Sequence, residues 1–420
     1  MDERTTRNAI EAVFRIESSR LIGGLVRVVR DLGLAEDLAQ EALVAALERW
    51  PQAGIPDNPA AWLMATAKNR AIDQLRRQQM LERKHAASGE TRSIDPRESD
   101  LDDVGDDLLR LILVACHPIL APDARAALTL RLLGGLSTSE IARAFLVAEP
   151  TIAQRIVRAK RTLAEARVPF EVPRAAELSA RLPSVLEVIY LIFNEGYAAT
   201  RGDEWMRVGL CDDALRLGRI LAGLLPDEAE VHGLVALMEL HASRARARVG
   251  PTGEPVLLFD QDRGRWDGVL IQRGLAALAR AESLAQPLGP YALQAAIAAC
   301  HARAHRADQT DWKKIVALYD ALVQITQSPV VELNRAVAVS MAFGPQAGLE
   351  LVDALMSEPA LKGYHPLPSV RGDFLLKLGR RDEARAELER AASLTQNARE
   401  RELLLARAKE CAPRPLLRPV

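Results

Sequence analysis

The chain has 420 residues, 49% of them hydrophobic and only 4% aromatic, and its 55 basic residues nearly cancel its 56 acidic ones for a formal net charge of −1. A pool so poor in aromatic residues and rich in Ala and Leu suits stacked helices and disfavours a β-sandwich, over a length that spans about two to four ordinary domains. The charge balance excludes a uniformly basic nucleic-acid binder, so any affinity for DNA must come from local patches.

Cys116, Cys211, Cys300 and Cys411 are scattered and form no CxxC pair, which argues against a disulfide framework or a zinc knuckle and for reduced thiols. The opening stretch MDERTTRNAI has no apolar signal core, and no uninterrupted apolar run approaches ~20 residues. A cytoplasmic location without a membrane partner is the expectation.

In chain order, the first clear pattern lies in residues 34–77. Leu38, Ala42, Ala45 and Ala46 form an apolar stripe, with Asp37, Gln40, Glu41 and Glu48 outside it. A second helix is predicted from about Pro59, with Trp62, Leu63, Ala67, Ile72 and Leu75 inward and Lys68, Asn69, Arg70, Arg76 and Arg77 on the remaining surface. This helix stays basic through residues 66–84. Residues 85–107 then collect Glu90, Asp95, Glu98, Asp100, Asp102, Asp103, Asp106 and Asp107 against Arg92 and Arg97 alone. Without apolar periodicity, the stretch reads as a flexible acidic linker.

Helical patterning resumes at Leu108 and runs to about Arg167. In GGLSTSEIARAF, Ser137 or Ser139 is a candidate cap for a helix that buries Ile141, Ala142 and Phe145. LVAE makes a turn, and Pro150 suits the first turn of the next helix because its missing N–H would be orphaned there. Ile152, Ile156, Ala159 and Leu163 share one face of that helix, while Gln154, Arg158 and Arg161 share another. A buried seam with donors projecting from the second helix is the helix-turn-helix arrangement. Arg158 suits a guanine edge and Gln154 an adenine edge, whereas Lys160 and Arg161 are better placed for phosphates. A helical hairpin with a basic solvated face has the same pattern, and this stretch alone leaves both open.

VPFEVPRAAEL (168–178) interrupts the helical pattern with two prolines and marks a further boundary. From about 176 onward, helical patterns dominate. Ile315, Tyr319 and Leu322 recur at i, i+4 and i+7, as do Ala384, Leu388 and Ala391, and Leu349 opens a third such helix. The lead positions 315, 349 and 384 are spaced by 34 and 35, near the ~34-residue tetratricopeptide period. One such pair cannot bury its own apolar face, so stacking is expected. An amphipathic bundle without true repeats remains the alternative.

Two motifs together carry a resemblance. Asp37-Leu38-x-Gln40-Glu41, Ala61-Trp62-Leu63, Asn69-Arg70-Ala71-Ile72-Asp73 and Leu75-Arg76-Arg77 resemble region 2 of bacterial sigma factors, above all the short extracytoplasmic-function type. Glu140-Ile141-Ala142 and Thr151-Ile152 through Arg155 and Arg158-Ala159-Lys160 are similar to the helix-turn-helix of the same factors. The resemblance covers about residues 5–166, with both motifs in the expected order. It implies an all-α protein with a region 2 domain at 5–84, the acidic linker at 85–107 and a region 4 domain at 108–167. It implies core RNA polymerase and promoter DNA as partners, and no cofactor.

By the same resemblance, Asp37, Gln40 and Glu41 would dock on the clamp helices of the polymerase. Asn58, Lys68, Asn69, Arg70, Asp73, Arg76 and Arg77 would sit at the −10 element, where the GIPDNP loop (54–59) holds an extruded base. Thr151, Gln154, Arg155, Val157, Arg158 and Arg161 would meet the −35 element. Two elements about two DNA turns apart lie roughly 70 Å apart, and an extended 85–107 segment spans at most ~80 Å at ~3.5 Å per residue. Ala153 and Glu149 depart from the family pattern. The first removes a polar contact, and the second suits the helix dipole but repels a nearby phosphate.

The tail, 176–420, is similar to a sigma subgroup with a tetratricopeptide-like C-terminal extension. Its role there is regulatory or partner-binding, with small soluble DGPF-motif proteins proposed as associates. IYLIFNEGYAATRGDEWMR (189–207) and LLFDQDRGRWDG (257–268) are its most distinctive stretches. Two other classes compete. An enzyme or metal site would draw on Asp260, Asp262, Glu195, Asp203, Glu204, Cys300, His301 and His305, but no further ligands stand at a recognisable spacing. No Gly-rich phosphate loop or nucleophile elbow occurs. A stand-alone helix-turn-helix regulator with a repeat sensor domain leaves 34–77 unexplained.

Overall fold

A computed structural model describes residues 3–85, 104–145, 147–199, 205–251, 253–284 and 286–411. The described residues form eighteen α-helices and no β-strand, with one isolated antiparallel bridge between Val249 and Pro255. The chain divides into two compact units, 1–191 and 192–420.

In the first unit, α1 (Glu3–Val29), α2 (Leu32–Ala53) and α3 (Pro59–His85) pack on one another. Leu25, Leu38, Ala42, Ala46, Leu63 and Ala67 are buried between them. Asp31 caps α2 by accepting from the Leu34 amide at 2.7 Å, and Gly54 at φ 84 ends it, a conformation that a side chain would strain. Trp50 and Trp62 meet edge to face at 5.2 Å, so Trp62 is tied into this packing.

Next follow α4 (Val104–Ala115), α5 (Pro122–Leu132), α6 (Thr138–Phe145) and α7 (Glu149–Glu165). Helix α4 begins inside the span read as linker, and Asp107 is buried rather than solvated. The cause is pairing: Arg110 donates to Asp107 at 2.7 Å, and Arg27 of α1 lies 3.6 Å from it. Residues 86–103 of the linker lie outside the described residues. Ser137 and Glu140 form a reciprocal capping box at the start of α6, through Glu140 N to Ser137 Oγ at 3.2 Å and Ser137 N to Glu140 Oε2 at 2.7 Å.

Helix α8 (Ala175–Tyr197) contains the division between the units. Its first half belongs with α5, where Arg125 donates to Ser184 and pairs with Glu187 at 3.1 Å.

The second unit begins with α9 (Val208–Leu224), α10 (Ala229–Ala242), α11 (Gly268–Ser283) and α12 (Pro290–Arg303). Helix α10 is buried almost all round, packed by the other three. Beyond it α13 (Trp312–Thr326) pairs with α14 (Pro329–Phe343), α15 (Pro345–Leu355) with α16 (Pro366–Lys377), and α17 (Arg381–Leu394) with α18 (Ala398–Glu410). Ile315, Leu349 and Ala384 open the first helix of each pair and are all buried. A Cβ at Gly348 would stand 2.6 Å from the Ser340 Cβ and 2.9 Å from the Ala336 carbonyl oxygen. This close approach of α15 to α14 needs the missing side chain.

Candidate nucleic-acid interface

Helix α3 offers the first candidate surface. Asn69, Asp73, Arg76 and Arg77 are exposed on it, and Lys68 and Arg70 are half-buried. Arg70 Nη1 lies 3.1 Å from Glu41 Oε2 on α2, so one ion pair joins the predicted −10 surface to the predicted polymerase-binding surface. Asp37 and Glu41 are exposed and Gln40 is half-buried. Asn58 has a local duty: its Oδ1 accepts from the Ala61 amide at 3.0 Å and caps α3, which leaves its amide nitrogen outward as a donor.

Helix α7 offers the second. Its buried seam of Ile152, Ile156, Ala159 and Leu163 is set against α5 and α6, and this fixes which side of the helix faces water. Thr151, Gln154, Val157, Arg158 and Arg161 are exposed on that side. Their spacing follows the 3.6-residue period, so Thr151, Gln154, Arg158 and Arg161 line up along one stripe. Arg155 is half-buried and reaches Asp123 Oδ2 at 3.4 Å. Arg161 donates to Glu165 at 2.6 Å, and that bond holds its guanidinium pKa above the ordinary value. Arg158 makes no ion pair among the described residues.

The structure overturns one expectation on this helix. Lys160, read as a phosphate contact, turns from the exposed stripe and pairs with Glu36 of α2. Glu36 also accepts from Arg131 Nε of α5 at 2.5 Å, and it is only 5% exposed. Burial pushes its carboxyl pKa up, but the Lys160 and Arg131 charges and hydrogen bonds outweigh burial and hold it below the ordinary value. Sequence reading missed this centre. The available signal was an acidic residue beside the apolar stripe, one helical turn before Ala39.

The competing metal readings find no support in the placement of their residues. Asp262 caps a short 3₁₀ turn through the Gly264 amide, Glu195 pairs with Arg207, and Asp203 and Glu204 lie outside the described residues. His301 is buried edge-on to Trp312, whereas His305 is exposed. Among the described residues no group of three or more His, Cys, Asp or Glu side chains is placed to hold a metal. All four cysteines are buried, and burial pushes Cys116 up to about 11 and Cys211 up to about 12, far from thiolate reactivity. No helix among the described residues is long and apolar enough to cross a membrane.

Comparison with known proteins finds three matching stretches. Residues 13–80 match the family Sigma-70 region 2, and residues 110–163 match Sigma-70, region 4. Residues 181–282 match a family of unknown function, DUF6596. An uncharacterized protein of Rhizobium meliloti (strain 1021) is 47% identical over 387 residues, covering 90% of each chain. ECF RNA polymerase sigma factor SigK of Mycobacterium tuberculosis (strain ATCC 25618 / H37Rv) is 32% identical over 152 residues, which span 34% of this chain and 78% of SigK. ECF RNA polymerase sigma factor SigL of Mycobacterium tuberculosis (strain ATCC 35801 / TMC 107 / Erdman) is 31% identical over 139 residues, 33% of this chain and 77% of SigL. No solved structure matches the chain.

Proposed function

The chain belongs to the ECF RNA polymerase sigma factors and carries a long C-terminal extension, and from that premise we propose how its surfaces divide the work of promoter-specific initiation. Core RNA polymerase and promoter DNA are its partners, in the cytoplasm. The region 2 domain (5–84) docks on polymerase through Asp37, Gln40 and Glu41. It meets the −10 element through Asn58, Lys68, Asn69, Arg70, Asp73, Arg76 and Arg77. The region 4 domain (108–167) reads the −35 element through Thr151, Gln154, Arg155, Val157, Arg158 and Arg161. The helical pairs of the extension (176–420) form a tetratricopeptide-like regulatory domain, open to a soluble DGPF-motif protein.

The observation that carries the reading is the exposed polar stripe on α7, set on a buried seam and preceded in the chain by the cationic face of α3. A stand-alone regulator would need only the α7 surface. Run-off transcription with core polymerase stripped of other sigma factors is the test. The full chain should start transcription at discrete promoters, and Arg76→Ala with Arg77→Ala should abolish it. Sequence-specific binding of duplex DNA by the chain alone, with no stimulation of core polymerase, would favour the regulator instead.

A further inference from the structure

The second unit holds a cavity that promoter recognition does not use. It has a volume of about 870 Å³ and lies between α9, the end of α10, the turn at 245–247 and the start of α11. Small-molecule sites typically span about 300–1,000 Å³ and combine an apolar lining with a few polar groups. Trp205, Leu215, Val249 and Leu270 supply apolar surface here.

The charges around this cavity are unequal. Arg219 is neutralised by the buried Glu239 at 2.8 Å, and Arg399 pairs with Glu402 at 3.2 Å. The Asp267 carboxylate accepts from the Val269 and Leu270 amides at 2.9 and 3.1 Å to cap α11. Asp212 is the remaining acid in the wall. Arg246 and Arg273 also line the cavity, are exposed, and make no ion pair among the described residues.

Positive charge continues behind the wall. The Arg248 guanidinium is buried 3.5 Å over the Tyr197 ring and 5.5 Å from Trp205, and Arg244 lies 5.8 Å from both Tyr197 and Trp266. Neither pairs with a carboxylate among the described residues. Arg248 Nη1, Arg244 Nε and Trp205 Nε1 are buried with no hydrogen-bond partner. Cations stacked on neutral rings retain their charge, and buried donors without acceptors call for an explanation. Of these three residues Trp205 alone lines the cavity, so its indole N–H is a candidate partner for an acceptor bound there.

We propose that this cavity binds a small organic anion, with its carboxylate or phosphate held by Arg246 and Arg273 and its apolar body seated against Trp205, Leu215 and Leu270. The extension is then a ligand-binding module. The inference stands apart from promoter recognition, because binding is measured on the full chain without polymerase or DNA.

Isothermal titration with decanoate, decyl phosphate and uncharged decanol, each below its aggregation concentration, tests it. Decanoate or decyl phosphate should bind at one site per chain, about tenfold or more tighter than decanol, as expected for charge-assisted hydrogen bonds. The tighter of the two acids identifies the headgroup. Arg246→Gln with Arg273→Gln should weaken the acids about tenfold and leave decanol unchanged. Both positions are exposed, so the melting temperature should hold. Leu270→Trp, which fills the cavity, should remove all three. No saturable binding of either acid, equal binding of decanol, or undiminished binding in the double glutamine variant would overturn the proposal.

Discussion

Arg158 and Arg155 sit three residues apart on α7 but in different surroundings. Arg158 is exposed and makes no ion pair among the described residues, whereas Arg155 is engaged with Asp123. On the proposed reading, replacing Arg158 with Ala removes a base-edge contact worth about 1–3 kcal/mol, so promoter binding by the polymerase complex should weaken about 5- to 150-fold. Affinity for core polymerase should stay unchanged, as measured by fluorescence anisotropy of the labelled chain. Equal loss of both would assign Arg158 a structural role. Arg155→Ala should cost less, because Arg155 must first give up its aspartate. The exposed members of this stripe were legible from spacing alone. The fate of Lys160 was not, because its partner Glu36 lies far away in sequence and only folding brings the two together.

Helix starts carry a second set of tests. Ser137 and Glu140 satisfy two amides at the start of α6, and Ser137→Ala should lower stability by about 1 kcal/mol, seen as a drop in the thermal midpoint. Asn58 combines a cap with a candidate DNA contact, and two substitutions separate them. Asn58→Asp keeps an oxygen for the Ala61 amide but loses the outward donor, so the chain should melt like wild type while promoter opening falls. Asn58→Ala should lose both, with about 1 kcal/mol of stability. Full promoter opening by Asn58→Asp would leave Asn58 as a cap only. Helices α2, α3, α6, α7, α13, α15 and α17 were visible as 3.6-residue periods. The start of α4 was hidden because Asp106 and Asp107 read as solvated charge, until Arg27 and Arg110 gave Asp107 its partners.

The first unit as described is closed. Glu36 of α2 is bonded to Arg131 of α5 and Lys160 of α7, which holds α7 within one ion pair of α2. Reading two promoter elements about two DNA turns apart demands roughly 70 Å between α3 and α7. On the proposed assignment of α3 and α7 to these two elements, the closed arrangement opens on the promoter. Dyes placed at Ala65→Cys on α3 and Ala164→Cys on α7, both exposed and outside the proposed DNA-contacting residues, with the four native thiols buried, should lose energy transfer on addition of core polymerase and promoter. Unchanged transfer would refute opening. The latch is also sensitive to pH. Because the folded carboxyl of Glu36 is held below its ordinary value, its stabilisation is complete above the ordinary carboxylate range and is lost as pH falls through the depressed value. Glu36→Gln should cost about 2–3 kcal/mol at neutral pH, below the fully buried case because Lys160 and Arg131 keep some water. The gap between wild-type and variant melting curves should shrink with acidification below about pH 4.5. A gap that persists at low pH would assign the loss to packing.

Sequence by itself determined what depends on neighbours a few residues apart: the all-α class, the order of two regions and an extension, the buried seam of α7 and its outward stripe. These follow from helical period and capping chemistry, which are local. Tertiary structure decided which charges are spent. It turned Lys160 to Glu36, buried Asp107, and backed the cavity of the extension with Arg244 and Arg248. Whether a charged side chain serves a partner or the fold depends on what lies within one hydrogen bond of it, and chain folding sets those neighbours across separations that no local pattern records.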